Sequence, residues 1–307
     1  MRADPSDRLL GCHLSIAKGL PVAIDEAEDL GNNALQIFTH NASAWRMKPL
    51  SEDRADRFVE RRADSSIAYA VAHAMYLLNL ASPDPALHAR SVAALIEELR
   101  RAQRLGLDGV VAHLGAHVGS GNDRGIDRIV EALGQVVSSG AFDTAPGVRG
   151  IGPRLLLENT AGSGTTMGST FEEIAGIFDR LSADERIGVC LDTAHAFAAG
   201  YDLRTSDAVD ATLARFDATI GIDRLALIHL NDSKYACGSR RDRHEHIGWG
   251  AIGRDGLRAI LRHRAVRALP VILETPKKID GRDDADRANL AAVRSLMSGQ
   301  EAEEEEA

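Results

Sequence analysis

The sequence predicts an α/β protein, a single-domain (β/α)8 TIM barrel, from two patterns and from its length. Short apolar runs alternate eight times with stretches whose apolar residues recur every three or four positions. The runs are apolar throughout, as expected for parallel strands that are covered on both faces. The chain has 307 residues, and barrels of roughly 250 residues are ordinary single domains. An open, doubly wound sheet is the alternative that the pattern alone allows.

Each predicted strand is a run of six to eight mostly apolar residues. In chain order the runs are LLGCHLS (9–15), ALQIFT (34–39), IAYAVAHA (67–74), GVVAHLG (109–115), RLLLEN (154–159), IGVCLDT (187–193), LALIHLN (225–231) and PVILET (270–275). Helical spacing of apolar residues between the runs is clearest at 86–106 and 256–266, where one face would pack on the sheet. No Pro-, Gly- or Ser-rich linker divides the chain, so we expect residues 1–300 to form one domain.

The formal net charge is −9, and a terminal EAEEEEA run at 301–307 supplies five of the negative charges. Such a run is typical of a disordered, solvated tail. Without it the chain carries −4, and bound divalent cations would make an acidic site positive. The acidic composition therefore does not exclude a nucleic-acid partner.

Several other classes of protein are excluded by the sequence. No apolar run approaches the roughly 20 residues of a membrane helix, and the polar start MRADPSDR has no apolar signal-peptide core. We therefore expect a cytoplasmic protein with no membrane partner. Its three cysteines are too few and too scattered for a disulfide framework, and no phosphate-binding P-loop motif occurs.

Residue types that bind metals stand near the ends of six consecutive predicted strands. They are His73, His113, Glu158, Asp192, His229 and Glu274. The carboxyl ends of barrel strands ring one mouth, so these side chains should converge on a single pit. Each residue alone could be a hydrogen-bonded barrel residue, but six in register indicate a site.

Two local pairs extend this set. LDTAHAF places Asp192 and His195 three apart, where the chain leaves the sixth strand. RDRHEH places Asp242 and His244 two apart, on the same side of an extended segment. A helix-capping aspartate with a supporting histidine is the alternative for the first pair, and a solvated loop charge is the alternative for the second.

The nine positions comprise five histidines and four carboxylates. Imidazole mixed with carboxylate suits Zn²⁺, Mn²⁺ or Fe²⁺ better than Mg²⁺ or Ca²⁺. A catalytic zinc takes about three protein ligands and keeps one position for water, so the set would serve about three ions, or two with additional supporting residues. Compact polymetal sites stabilise the attacking and leaving oxygens of a phosphoryl displacement. Phosphoester hydrolysis is therefore the favoured chemistry.

At these residues the chain resembles the endonuclease IV family, the zinc-dependent apurinic/apyrimidinic (AP) endonucleases of base-excision repair. The resemblance extends from about residue 9 to residue 296. It is carried by GCHLSIAKGL (11–20), QIFTHNASAW (36–45), YLLNLA (76–81), HLGAH (113–117), ENTAGSG (158–164), GVCLDTAHAFAAGYDLRT (188–205), HLNDSK (229–234), GSRRDRHEHIGWGAIG (238–253) and ILET (272–275). Each stretch alone is weak, but their order and separations are specific.

The resemblance implies three zinc ions, for which Mn²⁺ or Fe²⁺ could substitute. The first would be held by His73, His113 and Glu158. Glu158 would bridge to a second, completed by Asp192, His229 and Glu274. The third, near the leaving group, would be held by His195, Asp242 and His244. The implied activity is hydrolysis of the phosphodiester 5′ to an abasic site, leaving a 3′-hydroxyl and a 5′-deoxyribose phosphate, with trimming of blocked 3′ ends.

Glu158 and Glu274 are the candidate catalytic residues. They would hold a hydroxide shared between the metals in line with phosphorus. The implied partner is double-stranded DNA with abasic sites or blocked 3′ ends, cleaved by a monomer that needs no protein partner. Tyr76 and Leu77 match family positions that enter the DNA stack, with packing at the barrel rim as the alternative, and Asn41 is a weaker candidate for a rim contact.

Two other functions are compatible with parts of the pattern. A single-metal sugar isomerase or epimerase could share the barrel and several ligands, but it would not need the additional trio His195, Asp242 and His244. A non-catalytic lesion-binding protein would keep the metals and lose turnover. The chain departs from the family at Ser43, Ala74, Met75 and Trp249, which affects expected DNA contacts and leaves the ligand set intact.

Six histidines lie outside the ligand set. His13 and His117 are candidates for orienting the ligands. His246 is a candidate for a solvated position, and His40, His88 and His263 are expected at the surface.

Overall fold

The computed structural model describes residues 8–143, 152–181, 184–279, 281–282 and 284–298. The predicted acidic tail at 301–307 lies outside these residues. The barrel strands are β1 (Leu10–Leu14), β2 (Ala34–Ile37), β3 (Tyr69–His73), β4 (Gly109–His113), β5 (Arg154–Glu158), β6 (Ile187–Asp192), β7 (Leu225–His229) and β10 (Val271–Leu273). Two short strands, β8 (Asp232–Ser233) and β9 (His244–Glu245), pair antiparallel within the connection from β7 to β10.

The eight barrel strands are parallel and close in the order β1-β10-β7-β6-β5-β4-β3-β2. Each lies within its predicted run, which confirms the (β/α)8 barrel over the open sheet. The predicted runs are longer than the strands, because their last residues turn into the loops above the barrel. That end of the barrel is where the strand-end histidines and carboxylates stand.

The helices alternate with the strands around the outside. They are α1 (Leu20–Asp29), α2 (Glu52–Ala63), α3 (Pro85–Arg104), α4 (Asn122–Ser138), α5 (Phe171–Arg180), α6 (Thr193–Ala199), α7 (Ser206–Thr219), α8 (Gly253–Arg262) and α9 (Ala285–Ser298). The predicted helix at 86–106 corresponds to α3. That at 256–266 corresponds to α8, which begins earlier and ends at Arg262, since His263 has an extended backbone.

Among the described residues, no helix combines the length and the apolar character needed to cross a lipid bilayer.

Two apolar layers hold the barrel together. The larger layer lies between the strands and the helices and includes Phe58, Phe171 and Phe216, all buried. The barrel interior is filled by one buried side chain from each of seven strands: Ala34, Val71, Val111, Leu156, Cys190, Leu227 and Ile272. This plug makes the barrel a packed core rather than a pore. The polar site therefore lies directly above a layer of packed apolar side chains.

Candidate metal centre

The six strand-end residues lie at one mouth of the barrel, as predicted. Strands β3 to β7 end at His73, His113, Glu158, Asp192 and His229 in turn, and Glu274 directly follows β10. The parallel register sets His113 opposite Glu158 and Asp192 opposite His229. Neighbouring strand ends thus deliver the imidazoles and carboxylates at the same height in the barrel.

Glu158 is the centre of this cluster and is fully buried. Its Oε2 lies 2.9 Å from His113 Nε2 and 3.1 Å from His73 Nε2. Its Oε1 lies 3.1 Å from His229 Nδ1 and 3.4 Å from His195 Nδ1. One carboxylate therefore faces histidines on both of its edges, as a bridging ligand would.

A second group surrounds the other edge of Glu158. Ligand atoms of Glu158, Asp192, His229 and Glu274 all lie within 4.8 Å of one another. His229 Nδ1 is 3.1 Å from Glu274 Oε2. The group matches the set expected for the second ion.

The third predicted trio also comes together. His195 Nε2 lies 3.2 Å from Asp242 Oδ1, and His244 Nε2 lies 3.7 Å from the same oxygen. Asp192 adjoins this trio as well, since its Oδ2 is 3.6 Å from His244 Nε2, and its ligand atoms lie within 4.8 Å of those of His195 and His244. Asp192 therefore borders two groups, and Asp242 closes the trio on the open side with a side chain that is 49% exposed.

Hydrogen bonds fix which ring nitrogen of four histidines faces the cluster. Backbone oxygens lie near Nδ1 of His73 (Ala74 O, 2.7 Å), His195 (Asn159 O, 3.0 Å) and His244 (Glu274 O, 2.9 Å). A carbonyl can only accept, so each Nδ1 carries its proton and leaves Nε2 for a ligand. His229 is reversed, with Nε2 bonded to Gln36 Oε1 at 2.8 Å. Ligating histidines are commonly oriented in this way.

The electrostatics of the cluster also fit divalent cations. Burial alone raises the pKa of Glu158, but the charges of His113 and His229 outweigh it and hold that pKa well below its usual value. For His195 the directions are reversed: burial lowers the pKa of the imidazole, but nearby Asp192, Asp242 and Glu158 raise that pKa well above its usual value. The buried carboxylates thus require positive charge beside them, which protons on the histidines or divalent cations can supply.

One atom of the third trio has no hydrogen bond. His244 Nε2 is buried and makes none with any described residue, although two carboxylate oxygens lie 3.6 and 3.7 Å away. Those distances exceed a hydrogen bond, and a buried nitrogen left unpaired is unfavourable. An imidazole nitrogen between two carboxylates at this separation suits coordination of a common metal ion.

Three supporting residues were not identified from the sequence. Gln36, buried in β2, contacts His229, Glu274 and His13. Asn231 Nδ2 donates to Asp192 Oδ2 at 2.7 Å. Gln36 could have been found, because a polar residue inside an otherwise apolar strand indicates a hydrogen-bonding role.

Asp232 is the third of these residues, and it organises the loop that follows His244. Its Oδ2 accepts from the backbone N–H groups of Gly248 and Gly250 at 3.1 and 3.0 Å, and its Oδ1 from that of Ile252 at 3.0 Å. A Cβ at Gly250 would lie 2.5 Å from Asp232 Oδ1, so the close approach requires glycine there. The loop is thereby held against the short β8–β9 pair.

Two adjoining cavities open above the cluster. The smaller, of about 300 Å³, is lined by His73, His113, His195, His244 and Glu274, among others. The larger, of about 840 Å³, contains the basic side chains Arg46, Lys48, Arg54 and Lys277. Both are lined by Tyr76. A cluster of acids and imidazoles thus adjoins a groove with a basic rim.

The candidate DNA contacts differ in their surroundings. Tyr76 is 64% exposed, with its ring edge-on to Phe38 at 5.2 Å. Leu77 is half-buried and packs on the core, which favours the rim-packing alternative for that residue. Asn41 is exposed and lines the larger cavity, where its Oδ1 accepts from the Ser43 backbone.

The departures from the family have unequal consequences. Ala74 and Met75 are buried, so neither side chain reaches the surface of the groove. Trp249 is 61% exposed, and Ser43 is exposed as well. Of these four side chains, those of Trp249 and Ser43 are the exposed ones, so only these two can contact a large ligand.

Three of the six unassigned histidines are more buried than a surface or solvated position would allow. His40 and His88 are not surface residues: the His40 side chain is 6% exposed and pairs with Glu98, and His88 Nε2 lies 3.0 Å from Arg128 O. His246, a candidate for a solvated position, is instead buried between Lys278 O and Asn289. Each makes a polar contact distant in sequence, which no local pattern reveals.

His13 and His117, the candidates for orienting the ligands, differ. His13 Nδ1 lies 3.6 Å from Glu274 Oε1 and 3.0 Å from Gln36 Nε2, in line with a supporting role. His117 Nδ1 accepts from the Gly121 backbone at 3.0 Å and so bonds within its own loop.

Known proteins match this chain along most of its length. The family model described as a xylose isomerase-like TIM barrel matches residues 24–296. A protein of Methanoculleus marisnigri described as "Probable endonuclease 4" is 47% identical over 288 residues, which are 94% of this chain and 98% of that protein. One of Cenarchaeum symbiosum with the same description is 42% identical over 289 residues, 94% and 99% of the two chains.

The structural comparison agrees with the sequence relatives. The crystal structure of endonuclease IV from Thermus thermophilus has a TM-score of 0.79 at 37% identity, with 95% of this chain and 99% of that chain covered. Identity at this level over nearly whole chains shows common family membership, beyond a shared barrel. The chain therefore belongs to the endonuclease IV family of AP endonucleases.

Proposed function

We propose that this chain is a DNA repair endonuclease that hydrolyses the phosphodiester 5′ to abasic sites, leaving a 3′-hydroxyl and a 5′-deoxyribose phosphate, and that also trims blocked 3′ ends. Two relatives described as probable endonucleases, each matched over nearly its whole length, support the activity. The observation that carries the proposal is the meeting of five histidines and four carboxylates, Glu158 among them, at one barrel mouth.

We assign the cluster to three zinc ions, with Mn²⁺ or Fe²⁺ as possible substitutes. His73, His113 and Glu158 would hold the first. Glu158, Asp192, His229 and Glu274 would hold the second, and His195, Asp242 and His244 the third. When bound, such ions make water acidic enough to attack near neutral pH and offset the charge on phosphodiester oxygens.

Glu158 and Glu274 are the residues that we assign to orienting the attacking water. Both are fixed from several sides: Glu158 by its four histidine neighbours, and Glu274 by Gln36 Nε2 at 2.6 Å and His229 Nδ1 at 3.1 Å. Side chains held this firmly keep the reacting groups aligned without reorganisation during the reaction.

The larger cavity would receive the DNA. The cationic groups of Arg46, Lys48 and Arg54 on its wall can contact backbone phosphates without reading sequence. Extrusion of an abasic nucleotide is easier than that of a paired one, because no base must leave the stack. The exposed ring of Tyr76, between the two cavities, is placed to stack on the bases beside the gap.

Incision of a duplex with one abasic analogue, at a single stated salt concentration, tests the proposal. The wild type should cut 5′ to the analogue, and Glu158→Gln should fold normally yet lose most of this activity. Glu60→Gln, which changes an exposed glutamate on α2, is the matched control and should cut as the wild type does. A Glu158→Gln variant with full activity would refute the bridging assignment.

The isomerase alternative predicts a different result in the same experiment. A sugar isomerase of this barrel type would contain one metal ion per chain and would leave the abasic duplex intact. Such an enzyme has no need of the trio His195, Asp242 and His244, whose side chains nonetheless meet here.

A further inference from the structure

Gln36 is an uncharged residue of β2 whose side chain contacts residues in or next to three other barrel strands, β1, β7 and β10. It is fully buried in β2, where its neighbours in the run are apolar. Its register partner on β1 is His13. Its side-chain amide lies 2.6 Å from Glu274 Oε1, 2.8 Å from His229 Nε2 and 3.0 Å from His13 Nδ1.

The orientation of this amide follows from chemistry. A glutamate oxygen that faces an amide at 2.6 Å can accept a hydrogen bond only from the NH2 group, so Gln36 Nε2 faces Glu274. Gln36 Oε1 therefore faces His229 and accepts from its Nε2–H. The remaining amide hydrogen is directed at His13 Nδ1.

This arrangement determines the ligand atom of His229. With its proton held on Nε2 by Gln36, its Nδ1 lone pair is left to face Glu158 Oε1 and Glu274 Oε2, each 3.1 Å away. The other histidines with fixed rings, His73 and His195 among them, have the opposite arrangement, with Nδ1 on a backbone oxygen. A side chain, not the backbone, sets the tautomer of His229.

We propose that Gln36 is a positioning residue for the second metal site, which fixes His229 as an Nδ1 ligand and holds Glu274 in place. This inference rests on the proposed function, because it assumes that the cluster binds metal ions. Groups that orient a ligand from behind typically change metal affinity by roughly 10- to 100-fold when they are removed. Replacement of Gln36 should weaken metal binding at the second site and leave the metal affinities of the other two sites unchanged.

Zinc titration of chelator-treated protein against a chromophoric competitor tests this inference. The variant Gln36→Met keeps the length of the side chain and removes the amide. Gln36→Glu keeps an acceptor for His229 but places a carboxylate against Glu274. The control is Gln135→Met, at an exposed position of α4.

We expect three zinc ions per wild-type chain. Gln36→Met should bind one of the three ions roughly 10- to 100-fold more weakly, and Gln36→Glu should also bind that ion more weakly than the wild type does. Gln135→Met should bind all three ions with wild-type affinity. Binding of all three ions by Gln36→Met with wild-type affinity would overturn the inference and leave the proposed function standing. A wild-type chain that binds no zinc would refute the proposed function itself.

Imidazole ¹⁵N shifts of the zinc-loaded wild type give a second test, in which Gln36 itself is unchanged. The shifts distinguish Nδ1 from Nε2 coordination, and a His229→Gln spectrum assigns the signal. We expect His229 to coordinate through Nδ1 and to keep a proton on Nε2. Coordination of His229 through Nε2 would overturn the inference, because Gln36 would then not hold the Nε2 proton.

Discussion

Asp192 caps the helix that carries His195: its Oδ1 accepts a hydrogen bond from the His195 backbone N–H at 2.8 Å. The same carboxylate presents Oδ2 to His244 Nε2 at 3.6 Å. Capping had been the alternative to a ligand role for Asp192, but the geometry allows both at once. The cap starts α6 at the barrel mouth and so directs the His195 imidazole into the cluster.

Replacing Asp192 separates the two roles. Asp192→Asn has one acceptor oxygen, which can keep the cap because asparagine is also a good capping residue. It loses the bond from Asn231 Nδ2 and the negative charge that a cation requires. Asp192→Ala loses both, and without the cap it should be about 1 kcal/mol less stable than Asp192→Asn. We expect both variants to lose incision activity at least 100-fold. Urea unfolding with chelator present, together with the incision assay, measures the two effects.

Activity of Asp192→Asn within tenfold of the wild type would mean that Asp192 serves the helix alone. Equal stability of the two variants would instead show that the cap contributes little.

Tyr76 should contribute to DNA binding but not to stability. Its side chain is mostly exposed, and exposed substitutions usually change the free energy of unfolding by less than about 0.5 kcal/mol. Base–aromatic stacking contributes about 1–3 kcal/mol, so Tyr76→Ala should bind abasic duplex about tenfold more weakly, and Tyr76→Phe should bind nearly as the wild type does. Fluorescence anisotropy with a labelled duplex measures both affinities.

Val59→Ala, a partly exposed position on α2, is the control for Tyr76→Ala. An affinity of Tyr76→Ala equal to that of the control would show that the ring does not touch DNA.

Glu98 ties together the loops that carry the candidate DNA contacts. It is fully buried in α3, and its Oε1 accepts from His40 Nε2 at 2.7 Å and from the Met75 backbone at 3.2 Å. His40 Nδ1 in turn lies 3.0 Å from Asn41 O. One carboxylate thus anchors the segment before Tyr76 and the segment around Asn41.

We expect Glu98→Leu to weaken DNA binding while zinc content stays unchanged. Breaking a buried pair costs about 3–5 kcal/mol when one partner remains unpaired, so the free energy of unfolding should fall by a similar amount. The double variant His40→Leu/Glu98→Leu should regain part of that stability, because the buried imidazole is no longer left unpaired. It should not regain all of it, since the Met75 N–H and the Thr39 hydroxyl still lose their acceptor, and it should not regain the DNA affinity. Denaturant unfolding and anisotropy distinguish these outcomes, and a Glu98→Leu variant with wild-type affinity would contradict the anchoring role.

The sequence predicts most of the barrel and the convergence of its strand ends. Parallel strands that begin at one end of a barrel must finish at the other, so His73, His113 and Glu158 had to share a mouth once their strands were identified. The positions of Asp242 and His244 could not be predicted from the strand pattern in this way, because both residues lie in the long connection between β7 and α8, Asp242 outside any strand and His244 in the short strand β9.

The supporting contacts were harder to predict, since they join residues far apart in sequence. Gln36 and His229 are 193 positions apart, and His40 and Glu98 are 58 apart. A single histidine in a loop has no periodicity that distinguishes a buried partner from a surface residue. For Gln36 a signal existed, because an amide inside a buried strand must find hydrogen-bond partners.

Metal content and incision measured on the same protein sample test the central claim most directly. We predict three divalent ions per chain by elemental analysis, parallel loss of ions and of 5′ incision on chelation, and recovery of both when zinc is returned. A chain freed of metal that still cuts the abasic duplex at the original rate, or a purified chain with a single magnesium ion and no incision, would contradict the account.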